Sequence, residues 1–188
     1  MNTSTTTTPA ATLYTIDPAH TQVQFGVRHL MISTVRGTFR EVQGTVQADD
    51  SGPGAVNVSV NIASIDTREP QRDAHLRSAD FFDAEHFPVM TFQGRRLVGR
   101  TTEPFQLVGD LTIRGVTREV TLDVVPEGRG TDPWGNERAG FSATTRISRG
   151  GFGLKWNQAL ETGGVVVGDE VKISIDVELV KQAAPAGA

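Results

Sequence analysis

Residues 170–180 read EVKISIDVELV. Val171, Ile173, Ile175, Val177 and Leu179 alternate with Lys172, Ser174, Asp176 and Glu178. A period of two puts the apolar set on one face of an extended chain and the polar set on the other. One buried face and one wet face is the signature of an antiparallel strand.

The pattern recurs upstream. In TQVQFGVRH (21–29), Val23, Phe25, Val27 and His29 share a face, while Gln22, Gln24 and Arg28 take the other. In AVNVSVNIAS (55–64), Val56, Val58, Val60 and Ile62 alternate with polar or small residues. Between 34 and 47 the register slips. Val35, Gly37 and Phe39 follow one parity and Val42, Gly44 and Val46 the other, which predicts a bulge near Arg40 and Glu41. Further runs carry Met90 and Phe92; Phe105, Leu107, Gly109, Leu111 and Ile113; Val120, Leu122 and Val124; and Phe141, Ala143, Thr145 and Ile147. RGVT (114–117) reads as a turn between two of them.

The count is about eight strands. Many run to about ten residues or more, against about five or six in an ordinary strand. Turns separate neighbours, so sequential antiparallel pairing is the simplest topology. Closure into a barrel removes the exposed edges and turns every apolar face inward; a two-sheet sandwich is the alternative. Strands of roughly 33–43 Å, tilted at about 40°, make a barrel about 25–33 Å tall. Its interior is either filled by side chains or occupied by one slim ligand. Periodicity leaves both open, and a tall narrow barrel suits an elongated guest. The small inward residues Gly37, Gly109, Ala143 and Thr145 either make room for such a guest or interlock with large neighbours.

Bulk properties narrow the classes. The chain has 188 residues, one domain by length. It contains no cysteine, which excludes disulfides, thiolate nucleophiles and cysteine-ligated metals. Eighteen basic residues are scattered among 22 acidic ones, for a net charge of −4, so no nucleic-acid partner is expected. No stretch approaches the ~20 apolar residues of a membrane span. Residues 1–11 are Thr-rich and aperiodic and read as a disordered tail, 182–188 as a second flexible tail, and 12–181 as the folded domain. The N-terminus shows no basic or apolar leader region, so the expected location is the cytoplasm.

Catalytic motifs are missing: no G-x-S-x-G, H-E-x-x-H or P-loop occurs. His20 and His29 differ by an odd number and point to opposite faces of an unbulged strand, which argues against a shared metal. The densest chemistry lies in DAHLRSADFFDAEHFP (73–88), which holds two of the four histidines. Pro70 suits a first helical turn and Thr67 a cap, so a short helix is predicted over 69–79, with Asp73 and Arg77 paired on its surface. Asp80, Asp83, Glu85 and His86 follow without spacing that would gather them round a metal, and none is expected. Phe81, Phe82 and Phe87 demand burial, each stabilising by about 1.5–3 kcal/mol. A helix and loop covering one barrel mouth would supply it.

Four segments in order carry a resemblance: YTIDPAHTQVQFGVRHLMISTVRGTF (14–39), DAHLRSADFFDAEHFP (73–88), GDLTIRGVTREVTLDV (109–124), and DPWGNERAGFSATTRISRGGFGLKWN (132–157) with VGDEVKISIDVEL (167–179). Together they resemble the YceI-like family over nearly the whole domain. The resemblance implies an all-β, extended eight-stranded, lipocalin-like antiparallel barrel. It also implies a binding or carrying role for a polyisoprenoid or similar long-chain amphiphile, no cofactor, and frequent homodimers.

Strand parity then gives the expected lining: Val23, Phe25 and Val27; Phe39; Val58 and Val60; Phe92; Leu111 and Ile113; Phe141; Ile173 and Ile175. Phe81 and Phe82 are expected to close one end, and His29 and Asp80 to meet a polar head near a mouth. The rival is a hydrolase-type enzyme on a small amphiphile, using His75 or His86 with Asp80 or Asp83. A third reading, a filled barrel acting through its surface, predicts no continuous interior pocket.

Overall fold

A computed structural model describes residues 11–49, 52–159 and 164–183. The tails expected at 1–11 and 182–188 lie outside the described residues, except Ala11, Gln182 and Ala183. Gln182 continues the barrel edge: its backbone N–H donates to the Leu13 carbonyl at 2.8 Å.

The elements are β1 (Thr12–Ile16), β2 (Gln22–His29), β3 (Ser33–Phe39), β4 (Val42–Asp49), β5 (Gly52–Asn61), β6 (Ile65–Asp66), α1 (Pro70–Arg77), β7 (Val89–Val98), β8 (Phe105–Ile113), β9 (Val116–Thr131), β10 (Glu137–Ser148) and β11 (Val167–Lys181). The ladder runs β1–β4–β5–β7–β8–β9–β10–β11, and β11 pairs back onto β1. These eight strands form a closed antiparallel barrel, as the alternation predicts; the sandwich is excluded because the ladder has no break.

Three strands are pairs in series. β11 pairs β1 through Ile16↔Leu179 and β2 through Val23↔Ile175, so β1 and β2 are one strand interrupted by a 3-10 turn at Pro18–His20. Asp17 caps that turn by accepting the Ala19 N–H at 2.9 Å. β3 and β4 are likewise one strand, broken at Arg40–Glu41 where the parity slips. β5 and β6 are separated by a turn at Ile62–Ser64, capped by Asn61. Read this way, consecutive strands pair throughout.

The small inward residues divide by what faces them. Gly37 lies directly across from Phe25, and a Cβ there would come within 2.4 Å of the ring. A Cβ on Gly109 would sit 2.4 Å from the Gln93 carbonyl and 2.6 Å from the Phe92 ring. These two glycines admit neighbouring aromatics and make no space for a guest. Gly109→Ala is therefore expected to lower stability by about 1–3 kcal/mol, the cost of overpacking, measurable as a drop in the urea midpoint at unchanged slope.

One barrel end is stoppered. The Arg114–Gly115 turn between β8 and β9 has both residues at positive φ (49° and 73°), the geometry of a two-residue hairpin. Arg114 Nη1 donates to the Phe81 carbonyl at 3.0 Å, tying the hairpin to the segment after α1. Phe81, Phe152 and Leu154 are buried there, Phe81 packs on Trp156 with centroids 5.3 Å apart, and Phe82 meets Phe39 edge-on at 5.9 Å. Phe87 packs instead over the outer turn at Gly115.

The helix departs from expectation in two details. Its N-cap is Glu69, which accepts the Gln71 N–H, and not Thr67. Asp73 does not pair with Arg77. It turns inward, buried, and accepts the Thr67 backbone N–H at 2.9 Å and its hydroxyl at 2.6 Å. A buried carboxylate must be hydrogen-bonded, and Thr67 supplies two donors to it, while Arg77 donates instead to the Ala63 carbonyl at 3.4 Å.

Candidate functional site: an apolar cavity in the barrel

The barrel is not filled. An upper chamber of about 580 Å³ extends to the end away from the stopper, where Thr12, Asp49, Gly52, Pro53, Thr101 and Arg129 form the rim. A lower chamber of about 110 Å³ lies against the stopper. Val23, Met90, Ile113 and Ile173 line both, so the chambers share a wall. On β11 the inward row from Leu179 to Ile173 spans about 20 Å, and Val171 and Val167 carry it on into the lower chamber.

Most of the residues expected from parity face this space. Val23, Val58, Val60, Phe92, Leu111, Ile113, Phe141, Ile173 and Ile175 line the upper chamber. Phe25, Val27, Phe39, Phe81 and Phe82 line the lower one. His29 and Asp80 do not. β2 runs past the lower chamber before reaching His29, which sits beside Val167 and Ser33 at the outer end of the ladder. Asp80 lies on the outside of the stopper. Further lining residues were within reach of the same parity rule: Phe105, Leu107, Val120, Leu122, Val124, Ala143, Thr145, Val177 and Leu179 all belong to alternating runs. Tyr14 and Ile16 come from β1, too short to show a period.

The charges of 73–88 form local pairs. His75 Nε2 contacts Asp80 Oδ2 at 2.9 Å, and His86 Nδ1 contacts Asp83 Oδ1 at 2.9 Å. His75 also sits edge-on to Phe81 and Trp156. Asp83 holds the His86 imidazole above its ordinary pKa, chiefly through that hydrogen bond. None of these four residues lines either chamber, whereas an acid–base pair must reach a substrate position in the pocket. Their geometry fits anchoring of the stopper.

One polar cluster lies on β10, β11 and the Pro18–His20 turn, outside the cavity lining. Asp17, His20 and Glu178 bring ligand-type atoms within 4.8 Å of one another. Arg138 already occupies that space: Nη1 bonds Asp17 Oδ2 at 2.6 Å and Glu178 Oε1, and Nε bonds Asp132 Oδ2 at 2.8 Å. The guanidinium is the cation of this cluster. The hydrogen bond from His20 and then that from Arg138 lower the Asp17 pKa from 3.8 to about 2. A depressed carboxylate stabilises the fold above its unfolded pKa and loses that contribution as pH falls through the folded value. Melting temperature should therefore decline between pH 3.8 and about 2; in Asp17→Asn that part of the decline should vanish.

The model for the YceI-like domain matches residues 14–179. A UPF0312 protein of Staphylococcus aureus (strain MSSA476) is 38% identical over 170 residues, covering 89% of this chain and 96% of that protein. Among solved structures, a Campylobacter jejuni YCEI protein superposes with a TM-score of 0.71 at 30% identity, over 83% of this chain and 90% of that one. A polyisoprenoid binding domain from Saccharophagus degradans, implicated in plant cell wall breakdown, shares the fold at TM-score 0.65 and 14% identity, over 90% and 98% of the two chains.

Proposed function

This chain belongs to the YceI-like family, and from that premise we propose that it is a non-catalytic carrier holding a polyisoprenoid or similar long-chain amphiphile inside its barrel. The observation that carries this reading is the 580 Å³ apolar chamber, open at the rim and continued by the smaller chamber that the stopper closes. Burial of a hydrocarbon tail contributes about 0.8 kcal/mol per methylene before ordering costs. Long rows of Val, Ile, Leu and Phe offer tail contact along the full height, and no bond need break for the guest to enter or leave. The Saccharophagus degradans domain, described as polyisoprenoid binding, has the same architecture.

Native mass spectrometry of the purified protein, followed by organic extraction, tests the proposal. A long-chain lipid released in about stoichiometric amount supports it. Protein that is ligand-free and also fails to take up isoprenoid quinones or polyprenyl phosphates would overturn it.

A further inference from the structure

Arg129 faces the upper chamber, although simple alternation places it outside. Val124 is an inward residue of β9, paired with Ala143 of β10. Five positions separate Val124 from Arg129, so an unbroken strand would point the two to opposite faces. The β9–β10 ladder shifts register between Phe141↔Pro126 and Gly140↔Gly128, which leaves one extra residue on β9. Beyond that bulge Arg129 stands opposite the buried, cavity-lining Ala139. Bulges of this kind re-aim side chains beside functional sites.

The guanidinium is brought to the rim and left unengaged. Among the described residues the Arg129 side chain has no hydrogen-bond or ion-pair partner. The two arginines of the cavity lining differ: Arg149 is enclosed by backbone carbonyls, whereas Arg129 stands exposed at the rim with its donors free for a guest. Asp49, the other charged residue of the upper lining among the described residues, lies on β4, four places from β9 in the ring of eight and so on the opposite wall. At the stoppered end the one charged lining residue among those described is Arg149, whose donors are already taken by carbonyls.

We infer that Arg129 binds the anionic head group, a phosphate or a carboxylate, of an amphiphile that enters tail-first and stops with its head at the rim. Arginine matches such oxygens with a planar pair of donors. This deepens the carrier reading and rests on it; it also moves the head-group contact from His29 to the opposite end of the barrel.

Two matched pairs of probes test it on delipidated full-length protein: geranylgeranyl monophosphate against geranylgeraniol, and palmitate against hexadecanol. Wild type is expected to bind the anion of at least one pair about tenfold or more tighter than its neutral partner, with a preference that weakens in high salt. The pair that shows it identifies phosphate or carboxylate as the head. Arg129→Gln should abolish the preference, bringing the anionic probe down to the affinity of its neutral partner, and Arg129→Lys should keep part of it. Neutral probes that bind as well as anionic ones, or a preference that survives Arg129→Gln, would overturn the head-group assignment and leave the carrier reading standing. Failure of every probe to bind wild type would overturn both.

Discussion

Ala143→Trp should cost the barrel its capacity for a long chain without unfolding it. Ala143 sits on β10 between Val124 and Ile175, and all three line the upper chamber. Ile175 is one inward step above Ile173, which belongs to the wall shared by the two chambers. Ala143 is buried against Phe105 and Val124 but borders the chamber, so an indole has empty volume to enter and meets a smaller overpacking penalty than in a filled core. It occupies the floor that a tail must cross to reach the stopper. Affinity for geranylgeraniol is expected to fall at least about tenfold, or ~1.4 kcal/mol. Far-UV circular dichroism and the urea midpoint should stay close to wild type. The adjacent Thr144 is exposed on the outer face, so Thr144→Trp should bind normally. Unchanged affinity in Ala143→Trp would mean that the guest does not lie in this chamber.

Arg149→Met should be the most destabilising single change in the stopper. Arg149 is buried at 7% exposure. Its Nε donates to the Gly168 carbonyl at 2.8 Å, Nη1 to those of Leu154 at 2.6 Å and Trp156 at 2.8 Å, and Nη2 to that of Val167 at 3.1 Å. Burial pushes its pKa below the ordinary arginine value, with partial compensation from Asp169. One guanidinium thus staples the loop carrying Phe152, Leu154 and Trp156 to the start of β11. Methionine fills comparable space but leaves those carbonyls facing apolar surroundings without a donor. The expected loss is about 3–5 kcal/mol, the range for breaking a buried polar network. Trp156 emission should shift to the red as the stopper loosens. A loss under about 1 kcal/mol would show that aromatic packing alone holds the loop.

Much of the barrel was legible because strand parity is a local property. Val23, Phe25 and Val27 alternate with polar neighbours, and the same rows face the chambers. The slip at Arg40–Glu41 was visible as a change of parity within one apolar run. The short helix was visible through Pro70, though its cap was not. Thr67 is the better cap by type, but the helix begins at Pro70, which makes Glu69 its flanking residue, and the Thr67 donors go to Asp73 instead.

The misses share a cause: each depends on what stands across the barrel and not along the chain. Gly37 and Ala143 are both small inward residues. Phe25 fills the space over Gly37, whereas the space beside Ala143 stays open. His29 continues an apolar row correctly, yet the chamber ends before the row does. Arg129 was hidden by the bulge, since an extra residue on β9 is defined only by its pairing with β10.

The sequence by itself determined a closed barrel of alternating strands and the identity of most residues on its inner face, because period two is written in neighbouring side chains. The tertiary structure alone decided that the interior is hollow, which end is stoppered, and which charge stands at the open rim. Those features arise from volumes and registers between strands distant in the chain, and no local pattern encodes them.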